Sequence, residues 1–170
     1  MDNLVENVAT FLDRYASSEV IVFLISLLPV LELRGGLIAA KLFGVPWRVA
    51  APLAALANIA LTPFVIIFIE RILSRLQRGG PFVKIARFIE MRGRAAGERI
   101  LAKYPKSLFI GLLLFVAIPL PGTGVWTGGL IAALLGLDLK RGAPPICLGA
   151  IGACAAMSAL VYAVPEALGY

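Results

Sequence analysis

The chain has 170 residues, 60% of them hydrophobic and 15% charged, with a formal net charge of +6, a mean hydropathy of +0.92 and no histidine. A soluble domain is about 45–50% apolar and about 25% charged, and one this short has no core able to bury the excess, so the composition places the chain in a membrane. The lack of His excludes His-based triads and His-ligated metals. No metal-ligand spacing or nucleophile–base pair is visible, so the chain reads as a non-enzyme without cofactor.

Asp2, Glu6 and Asp13 stand where a signal peptide would carry its basic region. Leu4, Val5, Val8, Phe11, Leu12 and Tyr15 recur at helical spacing, which predicts an amphipathic helix over 4–16 lying on the membrane surface. The apolar zone 20–45 is broken by Glu32-Leu33-Arg34-Gly35-Gly36 into two runs, each about half a membrane thick. It reads as a re-entrant hairpin. Residues 49–69 form a full span, inside which Asn58 is an amide at membrane depth, suited to bonding a neighbouring helix or lining a polar path.

Glu32 and Arg34 are the ionisable residues this reading puts at membrane depth, where charge is costly unless paired or hydrated and marks an ion or substrate pathway. Residues two apart do not face each other on a regular helix. On an extended tip they point to different neighbours, Arg34 to an anionic group and Glu32 to a proton. Burial and the adjacent Arg34 pull the protonation of Glu32 in opposite directions. A self-neutralising structural pair is the alternative.

Residues 70–106 hold ten of the sixteen Lys and Arg residues against Glu70, Glu90 and Glu98, which by the positive-inside rule makes this linker cytoplasmic. Lys41 and Arg48 fall on the other side, against the rule. Ile72, Leu73 and Leu76, then Phe82, Ile85 and Ile89, alternate with the cations around the break Gly79-Gly80-Pro81. Two basic amphipathic helices on anionic inner-leaflet lipid follow, and because the linker accounts for the positive charge, nucleic acid is not the expected partner.

The zone 108–137 repeats the broken form at Pro119-Leu120-Pro121-Gly122-Thr123-Gly124. A straight helix through these breakers would lose backbone hydrogen bonds in hydrocarbon, whereas a hairpin tip is tolerated when buried in protein or lining a wet cavity. Gly122, Thr123 and Gly124 offer successive N–H groups, and a half-helix starting near Trp126 points its positive end at the same place, which suits phosphate or carboxylate. Pro121, Trp126 and Thr127 complete this candidate tip. Residues 143–164 form the second span, where Cys147 and Cys154 lie about 10 Å apart along a helix, too far for a disulfide.

Gly35-Gly36-Leu37-Ile38-Ala39-Ala40 recurs identically as Gly128-Gly129-Leu130-Ile131-Ala132-Ala133, and after a one-residue gap Leu42–Val45 matches Leu134–Leu137 and Ala51-Pro52 matches Ala143-Pro144. Gly35, Gly36, Gly128 and Gly129 are the hairpin glycines of the two copies. The expected fold is an all-α integral membrane protein of two units, 1–69 and 107–170, joined by the linker 70–106. Each unit has an amphipathic helix, a re-entrant hairpin and one transmembrane helix. One crossing per unit gives them opposite orientation, an inverted repeat, with both termini outside.

Glu32-Leu33-Arg34-Gly35-Gly36 together with Pro121-Gly122-Thr123-Gly124-Val125-Trp126-Thr127-Gly128 resembles the motif pair of the prokaryotic small multi-drug export protein family, itself distantly similar to the DedA membrane proteins. The resemblance covers essentially the whole chain. It implies a transporter in the prokaryotic cell membrane with two re-entrant hairpins. Through the DedA proteins it implies a polyprenyl-phosphate or other lipid-like substrate. Glu32 and Arg34 match the acidic and basic character of the first hairpin there, while the second departs by having no arginine beside Pro121-Gly122. The leading expectation is a transporter of an amphiphilic or anionic lipid-like substrate with ion or proton coupling, with a homodimer as the candidate assembly. The alternatives are a four-span proton-coupled exporter of lipophilic cations and a non-transporting scaffold.

Overall fold

The computed structural model describes residues 17–76, 107–120 and 122–167, together with separate positions between 87 and 102. The expected surface helix 4–16, Pro121 and most of the basic linker lie outside the described residues. Every regular element among the described residues is helical. These are α1 (Ser18–Leu27), α2 (Glu32–Leu42), α3 (Trp47–Leu76), α4 (Leu108–Ala117), α5 (Val125–Leu134) and α6 (Leu139–Ser158), the last continuing through a π-helical turn (Ala159–Ala163) into α7 (Val164–Ala167).

The breaks follow local chemistry. α1 stops at Leu28 and α4 at Ile118, both extended (ψ 137° and 120°), because each precedes a proline whose ring excludes the helical conformation one residue back. Ser107 starts α4 by accepting from the Ile110 N–H at 3.3 Å, and Asp138 starts α6 by accepting from the Arg141 N–H at 3.2 Å. α2 and α5 end alike: the Val45 N–H donates to Ala40 O at 2.8 Å and the Leu137 N–H to Ala132 O at 2.9 Å. The chain leaves each helix through a left-handed glycine, Gly44 (φ 69°) and Gly136 (φ 67°).

Trp47–Ile69 within α3 and Leu139–Ala167 across α6 and α7 are long and apolar enough to cross a membrane. α3 runs on past Ile69 to Leu76, so the start of the expected linker is helical. α1, α4 and α5 have ten residues each, about 15 Å, which is half of a hydrocarbon core.

The first short pair turns back on itself: a Cβ on Gly36 would overlap the Ser26 hydroxyl and sit 3.1 Å from Val22 O, so α2 returns along α1. The second pair touches only near its tip, where a Cβ on Gly128 would lie 2.8 Å from Val116 Cγ2; beyond it α4 packs on α6 and α5 on α3. The glycines Gly35, Gly36, Gly128 and Gly129 thus lie inside α2 and α5, where they let neighbours approach; the first turn is made by Leu28–Leu31, and the described residues of the second include Leu120, Gly122 and Thr123.

α3 and α6 run antiparallel through the centre. Tyr162 Oη donates to Val45 O at 3.0 Å near one end, Cys154 Sγ reaches Ala51 O at 3.2 Å, and at the far end a Cβ on Gly142 would lie 3.4 Å from Ile66 Cδ1. Lipid tails are as apolar as leucine, so close packing of small residues, rather than removal of apolar surface from water, holds such helices together. Accordingly Ala50, Ala54, Ala57, Ala150 and Ala153 are buried on α3 and α6, and Gly149 leaves room for Leu113 O. Leu37, Leu112, Val116, Ile131 and Ile146 fill the core between these helices and the short pairs.

Candidate functional site

The tips of the two short-helix pairs meet. Glu32 opens α2 with φ 48°, a left-handed conformation that costs a non-glycine residue about 1–3 kcal/mol and persists only where its surroundings hold it. What holds it is its side chain: the residue is 4% exposed, and its carboxylate is bound both by its near neighbour Arg34 and by Trp126 of the second tip. Glu32 Oε2 pairs with Arg34 Nη1 at 2.9 Å, and Glu32 Oε1 accepts the Trp126 N–H at 3.2 Å. The left-handed start swings Glu32 back over the first turn. This is why two residues that a regular helix keeps apart face each other here, whereas an extended tip would have sent them to different neighbours.

Arg34 crosses to the second tip. Its Nη2 donates to Thr123 Oγ1 at 3.1 Å and lies 3.4 Å from Ile118 O. The Thr123 hydroxyl stands 2.6 Å from Ile118 O and 2.8 Å from Leu120 O, and also accepts from the Leu120 N–H at 3.3 Å, which pins the side chain inside its own turn. Gly122 takes φ 81° there, a conformation only glycine adopts without strain. Gly124 has its open side against Glu32: a Cβ would overlap Oε2 and sit 2.6 Å from Cδ. The N-terminal amides of α5, candidate donors to a phosphate or carboxylate of another molecule, therefore face the protein's own carboxylate. Charge and helix dipole are matched, since an anion at a helix N-terminus is stabilised.

Two donors at this contact have no acceptor. Arg34 Nε and Trp126 Nε1 are buried and unpartnered among the described residues. Such groups are rare in folded proteins, because an unmade buried hydrogen bond costs about 1–3 kcal/mol. Thr127 is half-buried in the first turn of α5, and Pro121 lies outside the described residues.

Asn58 is fully buried. With its amide turned to satisfy both neighbours, it donates to Ser26 O at 3.2 Å and accepts from the Leu33 N–H at 3.0 Å, tying α3 to both arms of the first pair. Ser26 and Thr62 belong to this polar seam and were not singled out from the sequence. Ser26 Oγ donates to Val22 O at 2.7 Å and Thr62 Oγ1 to Asn58 O at 2.8 Å. Both are hydroxyls in apolar runs, the same signal that exposed Asn58. No grouping of three or more Cys, Asp or Glu suited to a metal occurs among the described residues.

The model of the family described as Putative small multi-drug export protein matches residues 32–156, beginning at Glu32 and taking in both tips. Comparison with curated proteins and with solved structures finds no match. The matched segment is most of the chain, and it holds the first apolar membrane-length helix, the larger part of the second, and the buried ion pair at the tips. The chain therefore belongs to the small multi-drug export protein family.

Proposed function

We propose that the protein transports an anionic amphiphile, and that the Glu32 carboxylate stands in for the substrate's anionic head while the site is empty. The single observation carrying this reading is that one buried carboxylate bridges Arg34 of the first tip and the Trp126 N–H of the second. An incoming phosphate or carboxylate needs those same donors. A proton on Glu32 removes the charge that occupies them, so anion and proton enter together, and the buried net charge is unchanged for a monoanion. The unpartnered Arg34 Nε and Trp126 Nε1 are donors too, so the unmet demand at the tips is for an acceptor. A lipophilic cation would find Glu32 already enclosed by positive charge.

In this reading the short pairs are re-entrant hairpins in inverted repeats, with residues 70–106 on the cytoplasmic side against anionic inner-leaflet lipid and the tips near the bilayer midplane. The like ends of α2 and α5 support it. They set a register in which Ala40 corresponds to Ala132, Gly44 to Gly136, Gly36 to Gly128, and Glu32 to Gly124. Glu32 and Gly124 touch, as equivalent residues do across a two-fold axis. The DedA-like lipid-phosphate substrate class accords with an arginine and backbone amides as the available ligands.

The test is a proteoliposome assay with a fluorescent short-chain polyprenyl phosphate, and tetraphenylphosphonium as the cationic comparison. Transport of the phosphate, its loss in Arg34→Gln, and transport without pH dependence in Glu32→Gln are expected. Transport of the cation alone, or full phosphate transport by Arg34→Gln, overturns the proposal.

A further inference from the structure

A second site lies away from the tips. Between the N-terminal half of α3 and the far end of α6 is a cavity of about 770 Å³, of the size that holds small organic ligands. Its two ends differ. Ala51, Ala55, Ile151, Cys154 and Ala155 make an apolar floor, while Trp47, Arg48, Tyr162 and Glu166 gather at one end. They gather because α3 and α6 run antiparallel, as the contacts of Tyr162 with Val45 and of Cys154 with Ala51 establish. Lys41 joins the polar end, its Nζ 5.3 Å from the Tyr162 ring, and Arg48 lies 5.8 Å from the Trp47 ring. The π-helical turn Ala159–Ala163 forms part of the wall, an irregularity often found where helices build a binding site.

We propose that this cavity binds one phospholipid with an amine-bearing headgroup, its phosphate at Arg48 and Lys41, its ammonium at Glu166 and an acyl chain along the alanine floor. The charge pattern selects the occupant: two cations and one carboxylate at the mouth complement a zwitterion better than a simple anion, and the small residues beneath leave an apolar groove for hydrocarbon. Aromatic rings at the mouth suit the headgroup level of a bilayer. The site also accounts for Lys41 and Arg48, which run against the charge bias of the linker: here they are ligands rather than topology signals. It stands independently of the transport mechanism at the tips.

The test uses the full chain in detergent, loaded with phosphatidylethanolamine or phosphatidylglycerol, with bound lipid counted by native mass spectrometry. One phosphatidylethanolamine per chain, retained at least several-fold over phosphatidylglycerol, is expected. Glu166→Gln, an exposed and conservative change, should erase that preference while leaving some phosphatidylglycerol bound. Arg48→Gln should weaken both lipids, and Ala155→Trp, which fills the floor, should remove the retained lipid. Equal retention of the two lipids, or a preference untouched by both Glu166→Gln and Ala155→Trp, overturns the proposal. So does a dimer that Ala155→Trp disperses without changing lipid content, because the occupant is then a second copy of the chain.

Discussion

The two short-helix pairs end their second helices alike, differ in how closely their arms pack, and divide the chemistry between them. The first brings side-chain charge to the contact: Glu32 and Arg34, both in the opening turn of α2. The second brings backbone and shape: the Trp126 N–H, the open face of Gly124 and the Thr123 hydroxyl held inside its turn. Neither tip is complete alone. Without α5 the Glu32 carboxylate loses an amide donor, and without α2 the positive end of α5 has no counter-ion. In the proposed repeat, an acid in one copy meets a glycine at the corresponding place in the other, where two acids would repel and two glycines would bind nothing.

This division can be broken from either side. The largest effect is expected from Glu32→Ala, which leaves the Arg34 guanidinium, 16% exposed, without its counter-ion; loss of one partner of a buried pair costs about 3–5 kcal/mol. Thermal unfolding in detergent measures it, and a change within error would mean that water already hydrates Arg34. Gly124→Ala attacks the same contact from the second tip and should cost about 1–3 kcal/mol by overpacking against the carboxylate. Combined with Glu32→Gly, which removes both the obstructing side chain and the left-handed strain, the alanine should become nearly neutral. Strict additivity of the two changes would show that they do not share one contact.

Thr123→Val removes the acceptor for Arg34 Nη2 but keeps the shape of the turn, and about 0.5–1.5 kcal/mol should be lost. The same substitution in an Arg34→Gln background should cost less; an unchanged cost would assign Thr123 wholly to its own turn. The smallest effect is a rescue within the first pair. Gly36→Ala collides with the Ser26 hydroxyl, and adding Ser26→Ala should recover about 1 kcal/mol, the order of coupling seen between residues in contact. No recovery would point to the Val22 carbonyl as the tighter obstacle.

Much of this was legible because membrane sequences punctuate strongly. Pro119 marks the end of α4, since a residue before proline avoids the helical region, and the two spans announce themselves by length; the first break, expected at Glu32–Gly36, falls instead at Leu28–Leu31, where Pro29 ends α1. The similarity of the two halves was visible too, and its matches after the one-residue gap, Leu42–Val45 with Leu134–Leu137, already stand in the register of the helix ends. The identical hexapeptides align Gly35 with Gly128, whereas the helix ends align Gly36 with Gly128. A one-residue shift turns a helical side chain by about 100°, so similar letters do not say which glycine meets the neighbouring helix. Ser26 and Thr62 were passed over because a single hydroxyl in an apolar run has no partner in one dimension.

By itself, the sequence determined that this is a helical membrane chain with two spans, two interrupted half-length zones and one acid–base pair among their apolar residues. These follow from composition, proline positions and the scarcity of charge, all local properties. Only the tertiary structure decided that Glu32 faces Arg34 and the amide of Trp126, that Asn58 stitches α3 to the first pair, and that Lys41 and Arg48 gather with Glu166 at the mouth of a cavity. Those relations join residues up to 125 positions apart. They depend on a left-handed φ at Glu32 and on glycines that admit close contact, so they exist only once the helices have packed.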